Sequence, residues 1–306
     1  MGPFEQHAGG GEPSPGNLLT RRRFLTTAGL CTTGFAFYAG EIARHAIETV
    51  PITIYIANLP DAFHGLRIAQ LSDIHYDNFS EPSFVRHAVN KINDLAPDLV
   101  LFTGDYVSKG PTPYALNKHH AELCAGILKD VTCPERYAVL GNHDMAVGPH
   151  AVTAALVSNG IPVLIDSYRA LERDGQRLWL VGLNDAGTAG IRPDPIAAAP
   201  PAGTEPILLM VHEPDYTDIL LDSPLGARTD LILAGHSHGG QVCLPIIGPL
   251  FEPRWGKKYV KGLFRFPRKD KTVQLYVNRG LGTVGLPLRL NCPPEITLIT
   301  LSAEPV

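Results

Sequence analysis

A chain of 306 residues is long enough to bury a substantial core, in one large domain or two small ones. Its content of 44% hydrophobic and 18% charged residues excludes a chain that is disordered throughout. A net charge of −4 argues against a general attraction to polyanions, so we expect no nucleic-acid partner. The 12 histidines are more than such a chain usually carries, and they direct attention to metal sites.

The N-terminal end of the chain differs in composition from the rest. Residues 1–19 are rich in Gly and Pro without periodicity, which predicts a disordered leader. The string TRRRFL follows at residues 20–25, and the next charged residue is Glu41. A basic segment before an uncharged run resembles a twin-arginine export signal. Residues 20–48 are therefore predicted to be either a cleaved signal or a retained N-terminal anchor. The twin-arginine export machinery would be a partner, and the protein would be periplasmic or lie at the outer face of the cytoplasmic membrane.

From about residue 49 onwards, short apolar runs alternate with helical patterns. The apolar runs are almost continuous, which is typical of strands covered on both faces. Helical patterns occupy residues 82–95, 114–129, 149–159 and 216–221. This alternation predicts an α/β protein with largely parallel sheets, and we assign residues 49–306 to one domain. The predicted strands are Ile52–Ile56, Leu66–Leu71, Leu99–Thr103, Tyr137–Leu140, Leu178–Leu183, Ile207–Val211, Leu231–Ala234, Gln274–Val277 and Ile296–Leu301.

Residues that bind metals or carry protons follow five of these strands directly. The carboxyl ends of strands in an open α/β sheet meet at one crevice, so we expect these residues to converge. They are Asp73 and His75 after the second strand, Asp105 after the third, Asn142, His143 and Asp144 after the fourth, His212 after the sixth, and His236 and His238 after the seventh.

The types of these residues indicate a transition-metal site. Carboxylate, amide and imidazole ligands together suit Mn, Fe or Zn better than Ca or Mg, which prefer oxygen ligands alone. Asp73 and His75 lie two residues apart, as do His236 and His238, so each pair points to one side of an extended segment. Each cluster alone has an ordinary alternative, such as a buried core histidine or an aspartate that caps a helix. To explain all five clusters without a metal site, five such alternatives would have to hold at once.

The order of the clusters, D-x-H, G-D, G-N-H-D, a strand-end H and G-H-x-H, resembles that of the calcineurin-like metallophosphoesterases. The resemblance covers residues 51–302. It is greatest to the YkuE-like exported phosphodiesterase branch, because the strings GHSHGGQ (235–241), NRGLG (278–282) and NCPPE (291–295) resemble that branch. The resemblance implies a four-layer α/β/β/α sandwich, in which two mixed sheets pack together with helices outside.

The resemblance also implies a role for each residue of the clusters. A water activated by two divalent ions would be the nucleophile, and His143 would donate a proton to the leaving oxygen or stabilise it as a cation. Asp144 would orient His143 and raise its pKa. One ion would be held by Asp73, His75, Asp105 and His238, and the second by Asp105, Asn142, His212 and His236, with Asp105 between them.

The implied reaction is hydrolysis of a phosphodiester or a diphosphate. The segment Phe251–Lys271 is basic and aromatic, so it is either a lip that contacts an anionic membrane or an ordinary hairpin with a solvated basic face. A membrane lip would favour a phospholipid or a lipid-linked diphosphate as substrate. The alternatives are a soluble phosphomonoesterase or nucleotidase, and a metal-binding scaffold without catalysis.

Overall fold

The computed structural model describes residues 21–79, 82–110, 114–187 and 193–303. The predicted leader, residues 1–19, lies outside this part of the chain, as does residue 20 of the predicted signal. The assignment of residues 49–306 to a single domain stays a prediction.

The described residues form thirteen strands and seven α-helices. The strands are β1 (Glu48–Ile56), β2 (Arg67–Leu71), β3 (Leu99–Phe102), β4 (Arg136–Ala138), β5 (Ser167–Arg173), β6 (Gln176–Gly182), β7 (Ile207–Met210), β8 (Leu231–Ala234), β9 (Cys243–Leu244), β10 (Gly248–Pro249), β11 (Gly262–Pro267), β12 (Thr272–Val277) and β13 (Glu295–Ala303). The helices are α1 (Arg21–Phe37), α2 (Pro82–Leu95), α3 (Tyr114–Leu128), α4 (Asn142–Val147), α5 (Pro149–Ser158), α6 (Thr217–Leu220) and α7 (Pro224–Arg228).

Two mixed sheets form the centre of the fold. The first has the order β1-β13-β2-β3-β4, in which β2, β3 and β4 run parallel. The second has the order β11-β12-β8-β7-β6-β5, in which the four inner strands run parallel and both edge strands are antiparallel to their neighbours. The strands β9 and β10 form a separate short hairpin.

The side chains of each strand alternate between two cores, as the pleat requires. Ile68 and Leu208, on the facing sides of the two sheets, belong to the core between the sheets. Their neighbours point outwards: Ala69 packs in the core under α2, α3 and α5, and Leu209 packs in the core under α6 and α7. Three separate cores in this arrangement confirm the predicted α/β/β/α sandwich.

All nine predicted strands are confirmed to within a few residues, as are the four helical patterns. The prediction missed the two-residue strands β9 and β10, and it also missed β5 and β11, which are the edge strands of the second sheet. Both are largely exposed or half-buried, so neither shows the continuous apolar run by which the inner strands were found. The four cysteines after residue 40 are buried and free.

The predicted signal begins with an exposed helix. The three arginines of the TRRRFL string form the first turn of α1, and no residue of this helix is buried. Across the described residues, no helix combines the length and the apolar character needed to cross a membrane.

Candidate metal centre

The structure brings the candidate residues of all five clusters to one place. Each cluster follows the carboxyl end of β2, β3, β4, β7 or β8, and these are the strands that run parallel within the two sheets. Because the sheets pack face to face, these strand ends meet at the same edge of the sandwich. The convergence that the sequence predicted is therefore present.

Asp105 lies at the middle of the cluster. Its Oδ2 is 3.4 Å from His75 Nε2 and 3.1 Å from His212 Nε2. Its Oδ1 accepts a hydrogen bond of 2.8 Å from the backbone N–H of His143, so the carboxylate is fixed in orientation. One carboxylate oxygen thus faces histidines from both sheets.

Asp73 lies beside it and faces both of these histidines and also His238. Asp73 Oδ1 is 3.5 Å from His238 Nε2 and 3.9 Å from both His75 Nε2 and His212 Nε2. Both of its oxygens accept hydrogen bonds from the backbone N–H of His236, at 3.0 and 2.9 Å. The side chain is fully buried, so a cation is the natural partner for its remaining lone pairs.

Three overlapping sets of ligand atoms lie close enough to hold metal ions. Within each set, the ligand atoms lie within 4.8 Å of one another. The first and third sets agree with the two ligand sets implied by the resemblance, except that the first lacks Asp105 and the third lacks Asn142; Asp105 belongs to the second and third sets. The sets are Asp73, His75 and His238; His75, Asp105 and His143; and Asp105, His212 and His236.

Backbone carbonyls orient two of the imidazoles for metal binding. His212 Nδ1 is 2.7 Å from the carbonyl oxygen of Thr103, and His236 Nε2 is 2.7 Å from that of Arg254. A nitrogen beside a carbonyl oxygen carries the proton, so the other nitrogen of each neutral ring keeps its lone pair for a metal. Asn142 Oδ1 is also available to a metal, because it is buried and has no hydrogen-bond partner among the residues that the structure describes. The residues present therefore fit a metal site.

His143 differs from the other histidines of the cluster. Distance alone would allow it to bind a metal with His75 and Asp105. However, its Nδ1 accepts a hydrogen bond of 3.1 Å from the backbone N–H of Lys109. In the neutral ring the proton then lies on Nε2, which makes Nε2 a hydrogen-bond donor and not a ligand.

Burial and mutual charge shift the pKa values of the cluster. Burial lowers the pKa of His75 and of His238 well below the usual value. Burial would also lower the pKa of His212, but Asp105 and Asp73 outweigh it and raise that pKa well above its usual value. Burial would raise the pKa of Asp105, but His212 and His143 hold it well below its usual value. The metal-free cluster therefore pairs a carboxylate with an imidazolium, and a metal ion would replace the proton.

Five of the seven predicted ligands have a left-handed backbone conformation, which non-glycine residues seldom adopt. Such a residue costs roughly 1–2 kcal/mol relative to its ordinary conformation, so the surrounding fold must stabilise these turns. Nothing in the sequence signals this strain. The φ values are 50° for Asp73, 49° for His75, 57° for Asp105, 69° for His236 and 52° for His238.

Asp144 holds two loops of the site together. Its carboxylate accepts hydrogen bonds from the backbone N–H groups of Asp105, Tyr106 and Gly141, at 2.8, 2.9 and 2.9 Å. That Asp144 orients His143 and raises its pKa stays a prediction; burial lowers the pKa of His143, and the Asp144 carboxylate bonds to backbone amides. Asp144 thus positions Asp105.

Arg289 is a site residue that the sequence did not reveal. Its side chain is fully buried and donates to the backbone carbonyls of Arg279, Gly280 and Gly282. The same turn bonds back to the site, because the N–H of Gly282 donates to the carbonyl of Asp73 at 2.7 Å. The string NRGLG therefore lies behind the first ligand. A single arginine in a loop reads as a surface residue, so only the resemblance of the surrounding strings could have indicated it.

Part of the basic segment Phe251–Lys271 belongs to the second sheet, and other parts of it pair with the body of the fold. Tyr259 is buried and donates a hydrogen bond of 2.8 Å to Asp218, which also pairs with Lys258 at 2.8 Å. Lys271 pairs with Asp230 at 3.1 Å. Residues 262–267 form the edge strand β11. Residues 262–277 thus form a hairpin, and contact of the segment with a membrane stays a prediction.

Comparison with known proteins finds relatives whose names describe phosphoesterases or a pyrophosphatase. The family described as Calcineurin-like phosphoesterase matches residues 66–240. The metallophosphoesterase YkuE of Bacillus subtilis is 32% identical over 93% of this chain and 98% of its own length. Phosphodiesterase YaeI of Escherichia coli is 31% identical over 93% of this chain and 100% of its own. The UDP-2,3-diacylglucosamine pyrophosphatase LpxG of Chlamydia trachomatis is 30% identical over 81% of this chain and 88% of its own.

Proposed function

This chain belongs to the calcineurin-like phosphoesterase family and to its YkuE-like branch, and it is a metal-dependent phosphoric ester hydrolase. On this basis we propose that it cleaves phosphodiester or diphosphate bonds with two divalent metal ions. The observation that carries the proposal is the position of Asp105. Its Oδ2 lies between His75 Nε2 at 3.4 Å and His212 Nε2 at 3.1 Å, at the junction of two ligand sets. A carboxylate shared in this way is expected of a binuclear centre.

The donor types indicate Mn, Fe or Zn, since nitrogen and oxygen ligands are mixed. When bound, the two cations lower the pKa of a water so that it can act as nucleophile near neutral pH, and they offset negative charge on the phosphoryl oxygens. Asn142 Oδ1, buried and without a protein partner among the described residues, completes the second set. The proposed sets are Asp73, His75, Asp105 and His238, and Asp105, Asn142, His212 and His236.

His143 stabilises the leaving oxygen in the proposed reaction as a hydrogen-bond donor. The N–H of Lys109 occupies Nδ1, so the neutral ring carries its proton on Nε2. The ring lies edge-on to His75, with 4.6 Å between the ring centroids, and so stands beside the metal ligands. From there Nε2–H donates to the leaving oxygen and stabilises the charge that develops on it.

The substrate class follows from two relatives whose names state an activity. YaeI is a phosphodiesterase, and LpxG is a pyrophosphatase that acts on a UDP-linked diacyl sugar. In both substrates the phosphorus that is attacked carries a further organic substituent, unlike the phosphorus of a phosphomonoester. We therefore propose a diester or a lipid-linked diphosphate as substrate. The arginine cluster at the start of α1 supports export by the twin-arginine route, to the periplasm or the outer face of the cytoplasmic membrane.

The test compares wild type with His143→Ala and with His150→Ala, an exposed histidine of α5 that serves as the control. Each protein is loaded with Mn and assayed on an aryl phosphodiester, an aryl phosphomonoester and a nucleoside diphosphate sugar. We expect wild type and His150→Ala to favour the diester or the diphosphate. His143→Ala should lose at least about 100-fold in turnover while it keeps its metal. Preference for the monoester would favour a phosphomonoesterase, and no turnover of any ester would favour a scaffold.

A further inference from the structure

Exposed large apolar side chains are concentrated in a few stretches of the chain. Twelve of the twenty large hydrophobic residues that are exposed in the described chain lie either between Phe24 and Ile42 or at five positions near the metal centre. Patches of this kind usually mark a binding surface, because exposure of hydrocarbon to water is unfavourable. The five positions are Ile246, Ile247, Leu250, Phe251 and Leu286, with exposed fractions of 107%, 72%, 57%, 71% and 66%.

Four of these residues lie on a segment that is attached to the metal centre at both ends. The hairpin of β9 and β10 starts soon after His238, and a side chain at Gly240 would overlap Pro249 of the hairpin. The segment returns at Arg254, whose carbonyl is 2.7 Å from His236 Nε2. The apolar tip of the segment, formed by Ile246, Ile247, Leu250 and Phe251, is therefore held next to two of the proposed ligands, His236 and His238.

The fifth residue and the end of α1 lie against the same segment. Gln241, at the start of the hairpin, donates to the carbonyl of Leu286 at 3.0 Å. The N–H of Arg289 donates to the carbonyl of Ala39 at 3.0 Å, so the chain that leaves α1 is fixed beside Leu286. The segment that follows α1 and the apolar hairpin are thus both held beside the loop that carries Leu286.

Cations flank the apolar tip. Arg254, Lys257 and Lys261 are exposed and follow the hairpin directly, and Glu252, which is half-exposed, is the one acidic residue between Phe251 and Lys261. A protruding apolar tip bordered by cations is the pattern of a surface that inserts between lipid headgroups, where the cations meet anionic phosphates.

We propose that Ile246, Ile247, Leu250, Phe251 and Leu286 form a docking face for an anionic membrane. Docking through this face sets the metal centre against the lipid surface, so that a substrate held in the membrane reaches the ligands without leaving it. This inference rests on the proposed hydrolysis of a diester or diphosphate and deepens it, because it assigns the substrate to a lipid surface.

The test measures binding to vesicles of phosphatidylcholine with and without phosphatidylglycerol. Wild type is compared with the double variant Ile246→Ser, Ile247→Ser and with the control Ile196→Ser, an isoleucine that is 84% exposed and lies outside the docking face. Because α1 is present in all three, any difference reports on the hairpin. We expect wild type and control to bind anionic vesicles, and the double variant to bind at least about tenfold more weakly. A second variant, Lys257→Glu with Lys261→Glu, should weaken binding to the anionic vesicles alone.

All variants are also assayed on a soluble aryl phosphodiester, which separates the two proposals. Equal soluble turnover with weaker vesicle binding in the double variant supports the docking face. Vesicle binding by the double variant equal to that of wild type would overturn it, as would a wild type that dimerises through this face and ignores vesicles. Absence of soluble turnover in wild type would instead count against the proposed function, whatever the vesicles show.

Discussion

The replacement of Asp144 by alanine tests how the site is held together. The carboxylate is fully buried and accepts three hydrogen bonds of 2.8 to 2.9 Å from backbone N–H groups. Two of the donors belong to the loop that carries Asp105, and the third belongs to Gly141, which precedes Asn142. Asp144→Ala would leave all three donors buried without a partner.

The magnitude follows from those three donors. A buried polar group that loses its partner costs about 1–3 kcal/mol, and water in the vacated space recovers part of that cost. We therefore expect Asp144→Ala to lower the free energy of unfolding by about 3–6 kcal/mol, which is a large share of a typical stability of about 5–15 kcal/mol. The melting temperature should fall by roughly 10 °C. Asp144→Asn keeps one acceptor oxygen and should lose about half as much.

Thermal unfolding of the metal-free protein, followed by circular dichroism, measures this effect. Asp194→Ala is the matched control. Asp194 lies in an exposed loop, and its carboxylate accepts hydrogen bonds of 3.0 Å from the backbone N–H groups of Ile196 and Ala197. That control should lose less than about 1 kcal/mol, because water replaces the carboxylate. An Asp144→Ala protein within about 1 kcal/mol of wild type would refute the assigned role of Asp144.

Two further predictions concern the metals. A side chain at Gly141 would overlap the carboxylate of Asp105, so Gly141→Ala should reduce the amount of metal that the folded protein binds. Gly126→Ala is the control and should bind metal normally, because a side chain at Gly126 would contact nothing. Full metal content in Gly141→Ala would contradict the close packing of Gly141 against Asp105. The carboxylates of Asp105 and Asp73 raise the pKa of His212, so metal binding should release a proton and weaken as the pH falls. Calorimetry in two buffers of different ionisation enthalpy measures that proton, and a binding enthalpy independent of buffer would contradict it.

The sequence predicted the placement of the site well, for a physical reason. Asp73, Asp105 and His212 each follow a buried apolar strand, and such strands are the easiest elements to recognise. Once the strands are taken as parallel neighbours, their carboxyl ends must meet. Neither step needs knowledge of side-chain contacts, and both were correct.

The features that were missed depend on contacts between distant residues. The left-handed conformation of Asp105 and His236 is imposed by the surrounding loops, not by their own preferences. Asp144 is next to His143 in the chain, but its carboxylate turns towards the loop after β3. Arg289 is buried because five carbonyl groups surround it, and no local pattern signals that. The strand β11 was not predicted because it lies at the edge of a sheet, where its side chains are exposed or half-buried and show no continuous apolar run.

The measurement that tests the central proposal most directly is the metal content of Mn-loaded protein by elemental analysis. Wild type is compared with His238→Ala, which removes a ligand of the first set, His236→Ala, which removes one of the second, and Asp105→Asn, which alters the shared ligand. We expect about two ions per chain in wild type, about one in each histidine variant and fewer than one in Asp105→Asn. One ion per chain in wild type, or full occupancy in Asp105→Asn, would contradict a binuclear centre that shares Asp105.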